Sequence, residues 1–123
     1  MYLEEIFGLK GKTAVVTGGS RGIGQVVAEG LARAGAEVVI LSRSQADETI
    51  KRISDAGGSG YFIKTDVTDE KSVTQAFQLI MERSGSLDIV FNNAGICIHK
   101  DTLTSSIEEF RQVVDVNLTG EYI

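Results

Sequence analysis

Short apolar runs rich in β-branched residues alternate along the chain with longer segments whose apolar residues have helical spacing. The short runs predict four strands, over Thr13–Thr17, Glu37–Ser42, Tyr61–Thr65 and Asp88–Phe91. Each run is mostly apolar on both faces, which is typical of parallel strands covered by helices on both sides. The pattern therefore predicts an α/β fold with a doubly wound parallel sheet.

The longer segments predict helices over Gly24–Ala34, Gln45–Ala56 and Glu70–Arg83. A fourth helix is expected from Ser105 or Ser106 through Asn117, because Ser-x-x-Glu at its start resembles a capping box. In the first helix, the inward face is expected to carry Val27, Leu31 and Ala34. The segment Leu3 to Leu9 is expected to pack its apolar side chains against the domain.

Residues 1–123 are expected to form a single domain, since no repeat, low-complexity tract or linker interrupts the alternation. The doubly wound rule predicts the strand order 3-2-1-4, with a ligand crevice where the order reverses between strands 1 and 4. The outer edge of strand 4 would then lack a partner. We expect from this that part of the domain is missing from the chain.

The composition excludes several classes of function. A net charge of −5 argues against a protein that binds nucleic acid or an anionic membrane surface. The single cysteine, Cys97, cannot form an internal disulfide, and with His99 it offers too few ligands for a metal site. The first residues form neither a signal peptide nor a transmembrane helix, so a cytoplasmic location is expected.

A glycine-rich turn follows the first strand and leads directly into the first helix, with Gly18, Gly22 and Gly24 as its glycines. Gly18 can adopt a positive φ, Gly22 allows the main chain to approach a pyrophosphate, and Gly24 allows the helix to pack tightly on the strand. The helix N-terminus then directs free N–H groups toward phosphates. The turn thus predicts a phosphate-binding loop.

The turn Thr-Gly-x-x-x-Gly-x-Gly and the segment Asn92-Asn93-Ala94-Gly95 resemble the short-chain dehydrogenase/reductase family. Asp66-Val67 after the third strand resembles the family's adenine contact, and Asn117 stands in the family's Asn-x-x-Gly pattern. The resemblance implies the N-terminal, NAD(P)-binding half of a Rossmann-type domain. The cofactor-binding residues that it implies, together with the glycine turn, are Gly18, Ser20, Arg21, Gly22, Ile23, Gly24, Ser42, Arg43, Asp66, Val67, Asn93, Ala94 and Gly95.

The position that selects between NAD and NADP reads Ser42-Arg43 instead of the Asp or Glu that accepts hydrogen bonds from a ribose 2′-hydroxyl. A neutral serine does not repel a 2′-phosphate, and Arg43 can bind it. Arg21 in the glycine turn is a second cation within reach. The expected cofactor is therefore NADP(H), with NAD(H) the less favoured alternative.

The family's activity is hydride transfer between the nicotinamide and a carbonyl or alcohol substrate, and the resemblance gives Asn117 a catalytic role in holding a water of the proton relay. The family's Tyr-x-x-x-Lys motif is absent, and we expect the chain alone to be inactive. The lead-in Phe7 to Lys12 resembles members that act on sugar-like ketones, keto acids or polyols. A full-length form is expected to be a homo-oligomer, and the alternative is a non-catalytic, truncated dinucleotide-binding module.

Overall fold

The fold was taken from a computed structural model that describes all 123 residues, and strands and helices alternate in it as predicted. The strands are β1 (Thr13–Thr17), β2 (Glu37–Ser42), β3 (Ser59–Lys64) and β4 (Ile89–Phe91). The helices are α1 (Tyr2–Phe7), α2 (Gly22–Arg33), α3 (Asp47–Asp55), α4 (Glu70–Ser84), α5 (Ile107–Val114) and α6 (Gly120–Tyr122), with a π-helical turn at Asp115–Thr119 between the last two.

The four strands form one parallel sheet in the order β3-β2-β1-β4, which confirms the predicted strand order. Val15 in β1 is paired with Val39 in β2 on one side and with Val90 in β4 on the other. The carboxyl ends of all four strands therefore meet at one edge of the sheet. β4 is an outer strand, and Val90 and Phe91 are partly exposed on it.

Both faces of the sheet are covered by helices, because alternate residues of the central strands point to opposite sides. Ala14 and Val16 face α2 and α3 in one buried cluster, whereas Val15 faces α4 in a second cluster with Ala76 and Ile80. These central residues of β1 are completely buried. The rigid core thus lies directly beneath the edge where the strands end.

Helix α2 begins two residues earlier than predicted, and its buried face is different. The buried residues are Gly24, Gln25, Ala28 and Ala32, and Ala34 is exposed. Small side chains at spacings of four let the helix axis approach the sheet closely, and the larger Val27 and Leu31 then lie at the sides of the contact. The predicted face was therefore wrong by about one residue position.

The expectation that the lead-in packs its apolar side chains against the domain was wrong for most of the segment. Tyr2, Leu3 and Phe7 in α1 are exposed. Only Leu9 packs on the core, and its N–H donates to the carbonyl of Ala34 at 2.7 Å. No helix in the structure combines the length and the apolar character that a membrane crossing requires.

The helix predicted near Ser106 begins at Ile107, and Ser106 caps it by accepting a hydrogen bond on Oγ from the N–H of Glu109 at 3.1 Å. A regular helix was expected through Asn117, but the chain changes to π-helical geometry at Asp115. Such a turn widens the helix locally and is often found at functional sites. Asn117 lies inside this turn.

Candidate functional site

A cleft of about 990 Å³ lies at the edge of the sheet where the strands end. Every predicted cofactor residue except Gly24 lines this cleft, whereas the predicted catalytic residue Asn117 does not. The predicted residues brought together there are Gly18, Ser20, Arg21, Gly22, Ile23, Ser42, Arg43, Asp66, Val67, Asn93, Ala94 and Gly95. The topology thus gathers segments from the ends of all four strands into one site.

The ends of β1 and β4 are joined by hydrogen bonds that hold the two walls of the cleft together. Thr17 Oγ1 accepts from the N–H groups of Asn93 and Ala94 at 2.9 and 3.0 Å. The amide of Asn93 donates in return to the carbonyls of Thr17 and Gly18, both at 3.2 Å. The glycine turn is therefore fixed to a segment more than 70 residues away in the sequence.

Two glycines of the turn are required by this close approach. Gly18 has φ +66°, and a Cβ there would lie 2.9 Å from the Cα of Ala94. A Cβ on Gly24 would lie 2.6 Å from Nδ2 of Asn93 and would also collide with the carbonyl of Gly18. Gly24 consequently lies behind the cleft wall, where it allows the helix, the turn and Asn93 to pack together.

The N-terminus of α2 opens onto the cleft without a side-chain cap. By contrast, α4 is capped by Asp69 and α5 by Ser106. The first N–H groups of a helix lack intrahelical partners and carry partial positive charge, so an uncapped start can bind an anion. Gly22 lines the cleft here, and nothing would lie within 4 Å of a Cβ on it, which leaves room for a ligand close to the main chain.

Arg21 and Arg43 place two guanidinium groups at the cleft, and both residues are exposed. Neither takes part in the ion pairs of the structure, which use other cations. Ser42 lies beside Arg43, and its hydroxyl donates to the carbonyl of Ser44 at 2.6 Å. This corner of the cleft is therefore cationic, and a neutral serine stands where an NAD-binding protein would have an acidic residue.

Asp66 is the one acidic residue that lines the cleft. Its Oδ1 accepts from the hydroxyl of Thr68 at 2.7 Å and from the N–H of Thr68 at 3.0 Å. These two hydrogen bonds, with a smaller attraction from Arg43, hold the pKa of the Asp66 carboxyl below its usual value of 3.8. A carboxylate that stays ionised at neutral pH can accept hydrogen bonds from an amino group in the cleft.

Both polar atoms of the Asn117 side chain form hydrogen bonds with the backbone of one residue. Its Oδ1 accepts from the N–H of Ile96 at 2.8 Å, and its Nδ2 donates to the carbonyl of Ile96 at 2.9 Å. Ile96 lines the cleft directly after Gly95. Asn117 therefore reaches the site through the loop that follows β4.

The same loop is connected to α5 by an ion pair in which Lys100 Nζ lies 2.6 Å from Oε1 of Glu109. The hydrogen bond from Lys100 lowers the pKa of Glu109 below its ordinary value. Cys97 and His99 lie between these contacts and are exposed, with Sγ and Nε2 3.5 Å apart. The loop is thus held at Ile96 and again at Lys100.

Several residues of the site were missed by the sequence analysis. The cleft is also lined by Leu41, Ser44, Lys64, Thr65, Ser72, Ile96 and Val116. Of these, Lys64 could have been found from strand register, because it pairs with Ser42 across β2 and β3. Thr17 is the first residue of the glycine-turn motif, but the motif does not indicate which backbone groups its hydroxyl binds.

The short chain dehydrogenase family model matches residues 12–123 of the chain. The chain belongs to the short-chain dehydrogenase family. It is 42% identical over 117 residues to 3beta-hydroxysteroid dehydrogenase 1 of Eggerthella lenta, an alignment that covers 93% of this chain and 45% of that relative. The family members are oxidoreductases, and the match spans nearly all the elements described above.

Two solved structures show the same fold. A short-chain type dehydrogenase/reductase from Mycobacterium marinum superimposes with a TM-score of 0.93 at 35% identity, covering 99% of this chain and 50% of that chain. A candidate 2-deoxy-d-gluconate 3-dehydrogenase from Agrobacterium tumefaciens, solved with bound NADP, gives a TM-score of 0.82 at 38% identity, covering 94% and 45%. The chain spans about half the length of the relatives that it matches.

Proposed function

We propose that the chain is the NADP(H)-binding part of a short-chain oxidoreductase that acts on a carbonyl or alcohol substrate. The observation that carries this proposal is the cleft itself, where an uncapped helix N-terminus and two unpaired arginines meet at the ends of parallel strands. In doubly wound sheets, dinucleotides bind at this position. The NADP in the Agrobacterium structure supports the same choice of cofactor.

Each group in the cleft suits a different part of the dinucleotide. The first N–H groups of α2 would bind the pyrophosphate, and Asp66 would accept from the adenine amino group. Arg21 and Arg43 would bind the 2′-phosphate, because guanidinium groups form strong charge-assisted hydrogen bonds with phosphate oxygens. The backbone of Asn93 to Gly95 would line the wall on the nicotinamide side.

The bound cofactor would supply or accept the hydride during the reaction. Asn117 would contribute to catalysis by holding the loop at Ile96 in place and by helping to keep a water of the proton relay in position. The sequence contains no Tyr-x-x-x-Lys motif, so we propose that the chain alone binds cofactor without turnover. Substrates of the whole protein would be alcohols or carbonyl compounds such as sugar-like ketones, keto acids or polyols.

Cofactor preference tests this proposal directly. The affinities of the chain for NADPH and NADH are measured by the change in nicotinamide fluorescence, and we expect tighter binding of NADPH. A hydrogen bond to a charged group contributes about 1.5–3 kcal/mol, so Arg43→Ala is expected to weaken NADPH binding roughly 10-fold to 150-fold. NADH binding should change little, because NADH has no 2′-phosphate.

Arg111→Ala is the matched control, since Arg111 is an exposed arginine on α5 that does not line the cleft. It should leave both affinities unchanged. Equal affinity of the unaltered chain for the two cofactors would contradict the choice of NADP(H). Absence of any binding to either cofactor, in a chain whose circular dichroism shows it to be folded, would contradict the proposal as a whole.

A further inference from the structure

A third cation lies at the corner of the cleft that holds Arg43. Lys64 is the last residue of β3, and it is the register partner of Ser42 at the end of β2. Because directly paired residues of neighbouring strands project to the same face, the lysine stem starts beside the Ser42 side chain. Both residues line the cleft, and Lys64 is exposed.

The charges around this corner leave Lys64 available for a ligand. Lys64, Arg21 and Arg43 are all absent from the ion pairs of the structure. Asp66 is the only acid lining the cleft, and Thr68 already donates two hydrogen bonds to it. In a chain with a net charge of −5, three cations that lie outside the ion pairs and come from three separate segments line one cleft. Such a concentration favours a ligand group with more than one negative charge.

The backbone of Lys64 is held by strand pairing, unlike the backbones of the two arginines. The β2–β3 pairing fixes its backbone, and the next residue, Thr65, donates its N–H to the carbonyl of Ser42 at 2.9 Å. Arg43 and Arg21 instead follow strand ends, in a loop and in the glycine turn. A lysine on a paired strand can bring its ammonium group to a ligand with little rearrangement of the main chain.

We propose that Lys64 binds the 2′-phosphate of the cofactor together with Arg43 and thereby contributes to the selection of NADP(H) over NAD(H). This inference rests on the proposed function, and it adds a specificity-determining residue that the sequence motifs do not include. The hydroxyl of Ser42 donates to the carbonyl of Ser44, whereas the ammonium group of Lys64 takes part in none of the ion pairs of the structure.

The experiment measures affinities of the 123-residue chain for four probes, which are NADPH, NADH, 2′-AMP and 5′-AMP. Lys64→Met keeps the apolar stem and removes the charge. We expect this substitution to weaken the binding of NADPH and 2′-AMP about 3-fold to 15-fold, which is the range for a partly solvated charge-assisted contact. The affinities for NADH and 5′-AMP should not change. The dependence of NADPH affinity on salt concentration should also become shallower. Lys64→Arg should restore most of the affinity.

Lys71→Met is the control, because Lys71 is an exposed lysine in the first turn of α4 and does not line the cleft. An equal loss of affinity in Lys64→Met for the probes with a 2′-phosphate (NADPH and 2′-AMP) and for those without one (NADH and 5′-AMP), or an equal effect of Lys71→Met, would overturn the inference. If Arg43→Ala lowers NADPH affinity but Lys64→Met does not, this inference fails and the proposed function stands. If the unaltered chain shows no preference for NADPH, both fail.

Discussion

The glycine turn is held in place by a buried polar contact that the sequence motifs do not contain. Thr49 lies in α3 and is completely buried. Its hydroxyl donates to the carbonyl of Gly19 at 2.7 Å and accepts from Nε2 of Gln25 at 3.1 Å. Gln25 also donates to the carbonyl of Ser20 at 3.4 Å. Two helices thus fix the main chain of the turn from behind the cleft.

We predict that Thr49→Val destabilises the chain, although valine has nearly the same shape as threonine. The substitution leaves the Gly19 carbonyl without this donor, and a buried polar group without a partner costs about 1–3 kcal/mol. Gln25 keeps its contact with Ser20, so we assign the cost mainly to the carbonyl. For a domain of this size, a loss of 1 kcal/mol lowers Tm by about 3–6 °C, and the expected decrease is therefore about 3–18 °C.

The assay is thermal unfolding followed by circular dichroism, with Thr49→Ser as the matched variant. Serine keeps the hydroxyl and removes one methyl group, so it should cost about 1 kcal/mol or less. Because Thr49 supports the turn that would bind the pyrophosphate common to both cofactors, Thr49→Val should weaken the binding of both NADPH and NADH. The reasoning is refuted if the valine variant is as stable as the serine variant, or if only NADPH binding is weakened.

Two further predictions concern the walls of the cleft. Gly24→Ala should destabilise the chain by about 1–3 kcal/mol, because the new Cβ would lie 2.6 Å from Nδ2 of Asn93. Gly30→Ala in the same helix should stabilise the chain by about 0.5–1 kcal/mol, because nothing lies within 4 Å of a Cβ there. Urea unfolding measures both changes in the free energy of unfolding. Thr68→Val should raise the pKa of Asp66 toward 3.8, as followed by carboxyl NMR shifts. The stability that Asp66 contributes is present above its unfolded pKa and is lost as the pH falls through the lower folded pKa. The Thr68→Val variant should therefore lose less stability below pH 4 than the unaltered chain does. An unchanged titration of Asp66 would contradict the role of Thr68.

The parallel sheet could be predicted because strands that are apolar on both faces have few alternatives to a parallel sheet between helices, and the strand order then followed from the doubly wound rule. The location of the cleft followed from the same reasoning, since the loops after parallel strands share one edge of the sheet. The buried face of α2 was mispredicted because periodicity weights large apolar side chains. In the structure, small residues such as Ala28 and Ala32 make the close contact instead.

The contacts within the site were beyond prediction from sequence for a different reason. The pair Thr17 and Asn93 is formed by residues whose separation depends on the register of β1 and β4. The contact of Asn117 with Ile96 depends in a similar way on how the loop after β4 folds back onto the π-helical turn. A motif can indicate that such residues have a role, but only the folded chain shows that they act on backbone groups of the cleft wall.

The framework of the cleft and its selectivity depend on separate sets of residues. The framework residues, Thr17 and Thr49, are buried and bonded to backbone groups, so changing them alters stability and all cofactor binding together. The cations Arg21, Arg43 and Lys64 are exposed and unpaired, so they can be replaced with little effect on the fold. Preference for the 2′-phosphate should therefore vary independently of stability in this chain. A variant with all three cations replaced is expected to fold normally and to bind NADPH no more tightly than NADH.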